Sequence, residues 1–193
     1  MSLAATFLET AERRGEAPAI IDADGRALSF AALARASAIR AQAYAEAGVC
    51  AGDVVLVARG VTAALYVDLL ALFRLGAVAM FPEPGAGLAG LVHAIDRARP
   101  KALIAGPAVR LARHCVRPLA ELKLLSPNPR ASLRGDGPLA HIGCDAPALI
   151  TFTSGSTGAP KGIVRSAGFL LLQHALLEDV RRTTPLDVDL ISL

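Results

Sequence analysis

The sequence predicts an α/β domain of three layers, a mostly parallel sheet flanked by helices. Three observations carry this. Between residues 48 and 110, short apolar runs alternate with segments of helical length, the pattern of strands joined by crossover helices. The runs are apolar at consecutive positions, as in Val54-Val55-Leu56-Val57, which suits strands covered on both faces. Breakers stand at the changes of period, at Gly48, Gly76, Pro82 and Pro100.

The elements follow in order. Residues 1–47 form a leading helix, a hairpin and a second helix. Leu3, Phe7, Leu8 and Ala11 fall on one face of a helix from Leu3 to Arg14. Ala19-Ile20-Ile21 and Ala27-Leu28-Ser29-Phe30 flank an Asp-Gly bend at Asp24-Gly25, a hairpin signal. The alanine-rich stretch to Ala47 is helical, and Gly48 ends it where a left-handed residue is wanted. Residues 48–110 carry the alternation: strand 54–57, helix 62–75 closed by Gly76, strand 77–81, helix 88–98 closed ahead of Pro100, strand 101–105. Residues 111–146 contain Pro118, Pro127, Pro129 and Pro138, so connections and short strands are expected there. Residues 147–193 begin with a buried strand to Thr153. A loop follows, then a strand over 162–165 and a helix from Ala167 to about Arg182 capped by Ser166.

Bulk composition narrows the function. With 53% hydrophobic and 19% charged residues the 193-residue chain is too apolar to be disordered. Twenty basic residues against seventeen acidic ones leave +3, without a block of like charge, so a nucleic-acid surface is not expected. Cys50, Cys115 and Cys144 are far apart and odd in number, which argues against a disulfide framework or a zinc site and fits a reducing cytoplasm. The first fourteen residues carry Glu9 and Glu12 and do not read as a signal peptide. The apolar tract from Val61 to Phe81 is broken by Asp68, Arg74 and Gly76, so no membrane anchor is expected.

One segment carries chemistry: Thr151-Phe152-Thr153-Ser154-Gly155-Ser156-Thr157-Gly158-Ala159-Pro160-Lys161-Gly162. Gly155 and Gly158 let a backbone bend and approach a ligand closely. Consecutive amides in such a bend form an anion-binding nest. The hydroxyls of Thr153, Ser154, Ser156 and Thr157 add donors, and Lys161, one of three lysines in the chain, adds a full charge for charge-assisted hydrogen bonds. A Walker A loop requires Gly-Lys-Ser/Thr opening into a helix. Here Pro160 precedes the lysine and Gly162-Ile163-Val164 continues as a strand. The composition suits a polyphosphate.

The string resembles the Ser/Thr/Gly-rich phosphate loop of the acyl-adenylate-forming (AMP-dependent synthetase/ligase) superfamily, which includes acyl-CoA synthetases, adenylation domains of peptide synthetases and luciferases. Leu28-Ser29-Phe30 with the helix behind it, Gly52-Asp53-Val54-Val55, and Ala71-Leu72-Phe73-Arg74-Leu75-Gly76-Ala77-Val78 are similar to further segments of that family. The tract through Phe73 and Gly76 also looks like the fatty-acid–CoA-ligase-like branch that includes β-lactone synthetases. The resemblance implies that residues 1–193 are the N-terminal part of an AMP-binding domain, a truncated version of the fold. It implies a carboxylic acid as substrate, ATP with Mg²⁺, and coenzyme A as acceptor. It places Thr153, Ser154, Gly155, Ser156, Thr157 and Gly158 around the β- and γ-phosphates, and Lys161 against the departing pyrophosphate. It assigns no catalytic acid or base here. The adenine-binding, ribose-binding and hinge motifs and the mobile lysine are expected beyond Leu193. The isolated chain is then expected to be inactive, with uncovered apolar surface prone to self-association. The alternative is a non-catalytic nucleotide-binding or interaction module with a degenerate ligase fold.

Other candidates read as structural. His114-Cys115 are neighbours that face different ways on a helix, and no acid partner stands near them. His93 and His174 fall at helix positions and read as packed or surface groups rather than ligands, His141 has no visible partner, Asp22 and Asp24 belong to a turn, and Arg110, Arg113 and Arg117 suit a solvated helix face.

Overall fold

The computed structural model describes residues 2–126, 136–153, 160–182, 184 and 187–189. Helix α1 (Leu3–Arg14) starts where Ser2 Oγ accepts the Ala5 amide at 3.2 Å. Strands β1 (Pro18–Ile21) and β2 (Ala27–Ser29) pair antiparallel about a bend with Gly25 at φ +81°. Ser29 then caps α2 (Phe30–Glu46) by accepting from the Ala32 amide at 3.1 Å, and Gly48 follows at φ +88°, the left-handed turn that stops the helix.

The alternation becomes β3 (Val54–Ala58), α3 (Ala63–Leu75), β4 (Val78–Phe81), α4 (Gly87–Ala98) and β5 (Ala102–Ala105). Short helices α5 (Pro107–Ala112) and α6 (Arg117–Glu121) lead to β6 (Lys123–Leu125). The chain then returns through β7 (Pro147–Thr153), β8 (Lys161–Ser166) and α7 (Ala167–Arg181). Six strands join in the order β6-β5-β3-β4-β7-β8, all parallel except β8, which runs antiparallel to β7. Neighbours β6, β5, β3, β4 and β7 are separated in sequence by helices or long connections, as parallel pairing demands.

Period-two alternation divides the core between two faces. Val55 and Val57 pack with Ala41, Tyr44, Leu65 and Leu72 of α2 and α3. Leu56, Met80 and Leu103 pack with Ala94 and Ile95 of α4 and Leu119 of α6. The predicted three layers are therefore present.

A buried ionic cluster joins α2, β3 and α3. Asp68 is wholly buried and accepts from the guanidinium groups of Arg40 and Arg59 and, at 2.8 Å, from the Tyr44 hydroxyl. Burial, with the Asp68 charge alongside, pushes the Tyr44 phenol well above its ordinary range. Asp22 does more than shape its turn. Its Oδ1 accepts the Ala63 amide at 2.7 Å, capping α3 where Thr62 makes no side-chain cap.

The end of α3 organises the long connection. Arg74 is 3% exposed and donates from Nε to the Pro138 carbonyl at 3.2 Å and from its terminal nitrogen to the Asp136 carbonyl. Burial lowers the pKa of this guanidinium. Gly76 closes the helix at φ +70°. A Cβ there would stand 2.8 Å from Ile142 Cδ1 and 3.2 Å from Ala51 Cβ. Gly76→Ala is expected to lose about 1–2 kcal/mol, the cost of a left-handed residue carrying a Cβ. Thermal melting followed by circular dichroism checks this, and an unchanged midpoint would contradict it.

Residues 111–146 hold, beside the short strand β6, short helical turns, and Pro118 stands in the first turn of α6, where a missing amide costs nothing. One expectation is corrected. Arg113 does not lie on a solvated face; it donates to the carbonyls of Ala120 and Leu122, both at 3.1 Å. Arg117, paired with Glu121 at 2.9 Å, is exposed as expected. Beyond Leu171, α7 is exposed, with Leu172, Leu176 and Val180 facing outward. Among the described residues, no helix is long and apolar enough to cross a membrane.

Candidate functional site

Two of the polyphosphate-binding candidates are described: Thr153 ends β7 and Lys161 opens β8. Because β7 runs parallel to β4, its carboxyl end points to the same sheet edge as those of β3, β4 and β5. Open α/β sheets bind ligands outside that edge. Phe81, the last residue of β4, pairs with Thr151, so Phe152 and Thr153 carry β7 two residues further.

Antiparallel register then fixes the root of the loop. Thr153 stands opposite Lys161, Phe152 opposite Gly162 and Thr151 opposite Ile163. Opposed residues share a face, so Thr153 and Lys161, both exposed, leave the same face of the two strands where β7 ends and β8 begins. Ser154, Gly155, Ser156, Thr157 and Gly158, the other predicted ligands, lie outside the described residues.

Three contacts without a place in the sequence reading surround this root. Arg165 donates from its terminal nitrogen to Thr151 Oγ1 at 2.5 Å, tying the strands together on the face that carries Lys161. On the opposite face the Phe152 ring lies against Gly162; a Cβ on Gly162 would be 3.2 Å from ring atoms Cε1 and Cζ. Pro160, just before the lysine, approaches the first turn of α4, where a Cβ on Gly90 would stand 3.5 Å from Pro160 Cγ. Alternation along 161–166 does place Arg165 on the face of Lys161, a usable signal once the strand is assigned. The contact of Pro160 with α4 has no signature in the sequence.

His174 pairs with Glu178 on α7 at 3.5 Å, and Cys50, Cys115 and Cys144 are exposed. Among the described residues, no group of three His, Cys, Asp or Glu side chains comes together as a metal site.

Comparison with known proteins converges on one family. The family model described as AMP-binding enzyme matches residues 7–191. The olefin beta-lactone synthetase of Xanthomonas campestris is 35% identical over 137 residues, 63% of this chain and 24% of that protein. The hybrid PKS-NRPS synthetase thnA of Trichoderma harzianum is 32% identical over 161 residues, 81% of this chain and 4% of that protein. The chain thus spans a quarter or less of the length of these relatives. Among solved structures, the N-terminal subdomain of Klebsiella oxytoca NpsA, in complex with 3-hydroxyanthranilyl-AMSN, aligns with a TM-score of 0.72 at 24% identity, over 86% of this chain and 40% of that one. The anthranilate CoA ligase AuaEII, in complex with anthranoyl-AMP, aligns with a TM-score of 0.81 at 19% identity, over 91% and 36%. At these identities the two structures establish a shared fold.

Proposed function

Since the chain belongs to the AMP-binding enzyme family, we propose that it is the phosphate-holding part of an ATP-dependent ligase that activates a carboxylic acid as acyl-AMP. The observation that carries this reading is the β7–β8 hairpin at the carboxyl edge of the sheet, with Thr153 and Lys161 in register at the root of a hydroxyl- and glycine-rich loop. In the reaction, a carboxylate oxygen attacks the α-phosphorus of ATP. The bond from that phosphorus to the bridging oxygen breaks, and pyrophosphate leaves with the negative charge. Two anions must meet, so positioning and electrostatic stabilisation dominate the barrier.

Each residue of the segment has a role in that picture. Thr153, Ser154, Ser156 and Thr157 donate hydroxyl hydrogen bonds to the β- and γ-phosphates. Gly155 and Gly158 let the backbone amides approach. Lys161 offsets charge on the leaving pyrophosphate. ATP would enter as its Mg²⁺ complex, the ion held by phosphate oxygens with loop hydroxyls nearby. A thiol, that of coenzyme A in this reading, then attacks the acyl carbonyl and displaces AMP. The substrate in this reading is a fatty or other carboxylic acid, and the similarity to a putative 4-coumarate–CoA ligase-like protein of Oryza sativa, 35% identical over 170 residues, supports a carboxylic acid passed to a thiol.

Calorimetric titration tests the reading. Mg·ATP should bind, and inorganic pyrophosphate should compete with it because both use the loop. The absence of binding, or ATP binding indifferent to pyrophosphate, would overturn it.

A further inference from the structure

Lys161 is carried on β8, an edge strand of the sheet, whose pairing partner among the described residues is β7 alone. From Lys161 to Val164 the residues of β8 are exposed, so burial of its own side chains does little to fix its register, and a slip of one residue turns every side chain to the opposite face. Such a slip would carry the ammonium away from Thr153. Something must therefore pin the hairpin where the loop departs, and the apolar face of the same two strands supplies it.

Phe152 is 5% exposed and packs with Leu56 and Met80 of the central strands, so its ring is fixed by the core. Directly across the ladder is Gly162, with its backbone outside the left-handed region and no Cβ to keep the ring away. An alanine could adopt this backbone, yet its methyl would press on two ring atoms at 3.2 Å, and one strand would have to yield by a few tenths of an ångström. Any other residue type carries the same Cβ and meets the ring at the same place. The glycine therefore matters for contact, not for conformational freedom.

We propose that Phe152 and Gly162 are positioning residues: the core-anchored ring seated on the glycine holds β8 in register and sets where the adjacent Lys161 and Thr153 meet a triphosphate. This rests on the reading of the loop as a phosphate site. The ring touches no phosphate itself; it acts through the strand. On the other face, the hydrogen bond from Arg165 to Thr151 closes the same hairpin further from the loop.

Binding of Mg·ATP and of inorganic pyrophosphate by the full chain tests this with four proteins: the unsubstituted chain, Gly162→Ala, Phe152→Leu with Gly162→Ala, and Lys161→Ala. A displacement of a few tenths of an ångström at the root should weaken both ligands about three- to tenfold in Gly162→Ala, a fraction of what a full ångström costs. Its melting midpoint should stay close to that of the unsubstituted chain. The smaller leucine gives the new methyl room, so the double variant should recover affinity to within about twofold. Unchanged affinity in Gly162→Ala, or a loss that the leucine does not relieve, would overturn the positioning role and leave the phosphate site standing. A chain that binds neither ligand, or binds equally well as Lys161→Ala, would overturn the phosphate site and the positioning role with it.

Discussion

Asp68→Ala is expected to destabilise the fold by about 3–5 kcal/mol, the cost of breaking a buried ion pair from one side. The carboxylate is wholly buried and takes guanidinium groups from α2 and from Arg59, the residue after β3, together with the Tyr44 hydroxyl. Removing it leaves Arg40 and Arg59, 16% and 20% exposed at their side chains, facing each other with their counter-charge gone. Each then meets both incomplete hydration and like-charge repulsion. Asp68→Asn should be nearly as damaging, since it preserves the shape and discards the charge. Arg40→Met should cost less, because Asp68 keeps Arg59 and Tyr44. Denaturant unfolding measures all three, and an Asp68→Ala loss below about 1 kcal/mol would contradict the cluster's role, being no more than a surface pair contributes.

Lys161→Ala is expected to weaken ATP and pyrophosphate binding by about 10- to 100-fold, the equivalent of roughly 1.5–3 kcal/mol for a hydrogen bond to a charged group. The side chain is exposed at the end of β8, so stability should be little changed. Lys161→Arg keeps the charge in a planar, longer head and should recover part of the affinity. The loss should shrink as salt is added, because an exposed ammonium is screened. Equal affinities for the unsubstituted and alanine chains in calorimetry would remove Lys161 from the site.

Much of this architecture is legible in local pattern. The β-branched run at 54–57, the Asp-Gly bend at 24–25 and the serine at 166 each act through near neighbours, and the strand, turn and cap appear where those residues place them. Prolines are harder to read. Pro107 and Pro118 signal interruption along the chain, whereas in the fold they open short helices. Partners distant in sequence have no local signature: Asp22 with Ala63, Asp68 with Arg40 and Arg59, Arg74 with Asp136 and Pro138. The phosphate segment itself stands out by composition, and the strand after it is visible in the apolar pair Ile163-Val164. Its register against β7 is not, because a long loop between two strands sets no fixed pairing. That register is what brings Thr153 to Lys161 and Phe152 to Gly162.

A β7–β8 hairpin that receives the tail of ATP should respond to the tail alone. Backbone amide chemical shifts, followed by NMR during titration with inorganic pyrophosphate, read this residue by residue. The shifts should concentrate on residues 153–162, with smaller ones in the first turn of α4 around Gly90, where Pro160 makes contact. Saturating shifts confined to another part of the molecule, with 153–162 unmoved, would contradict it.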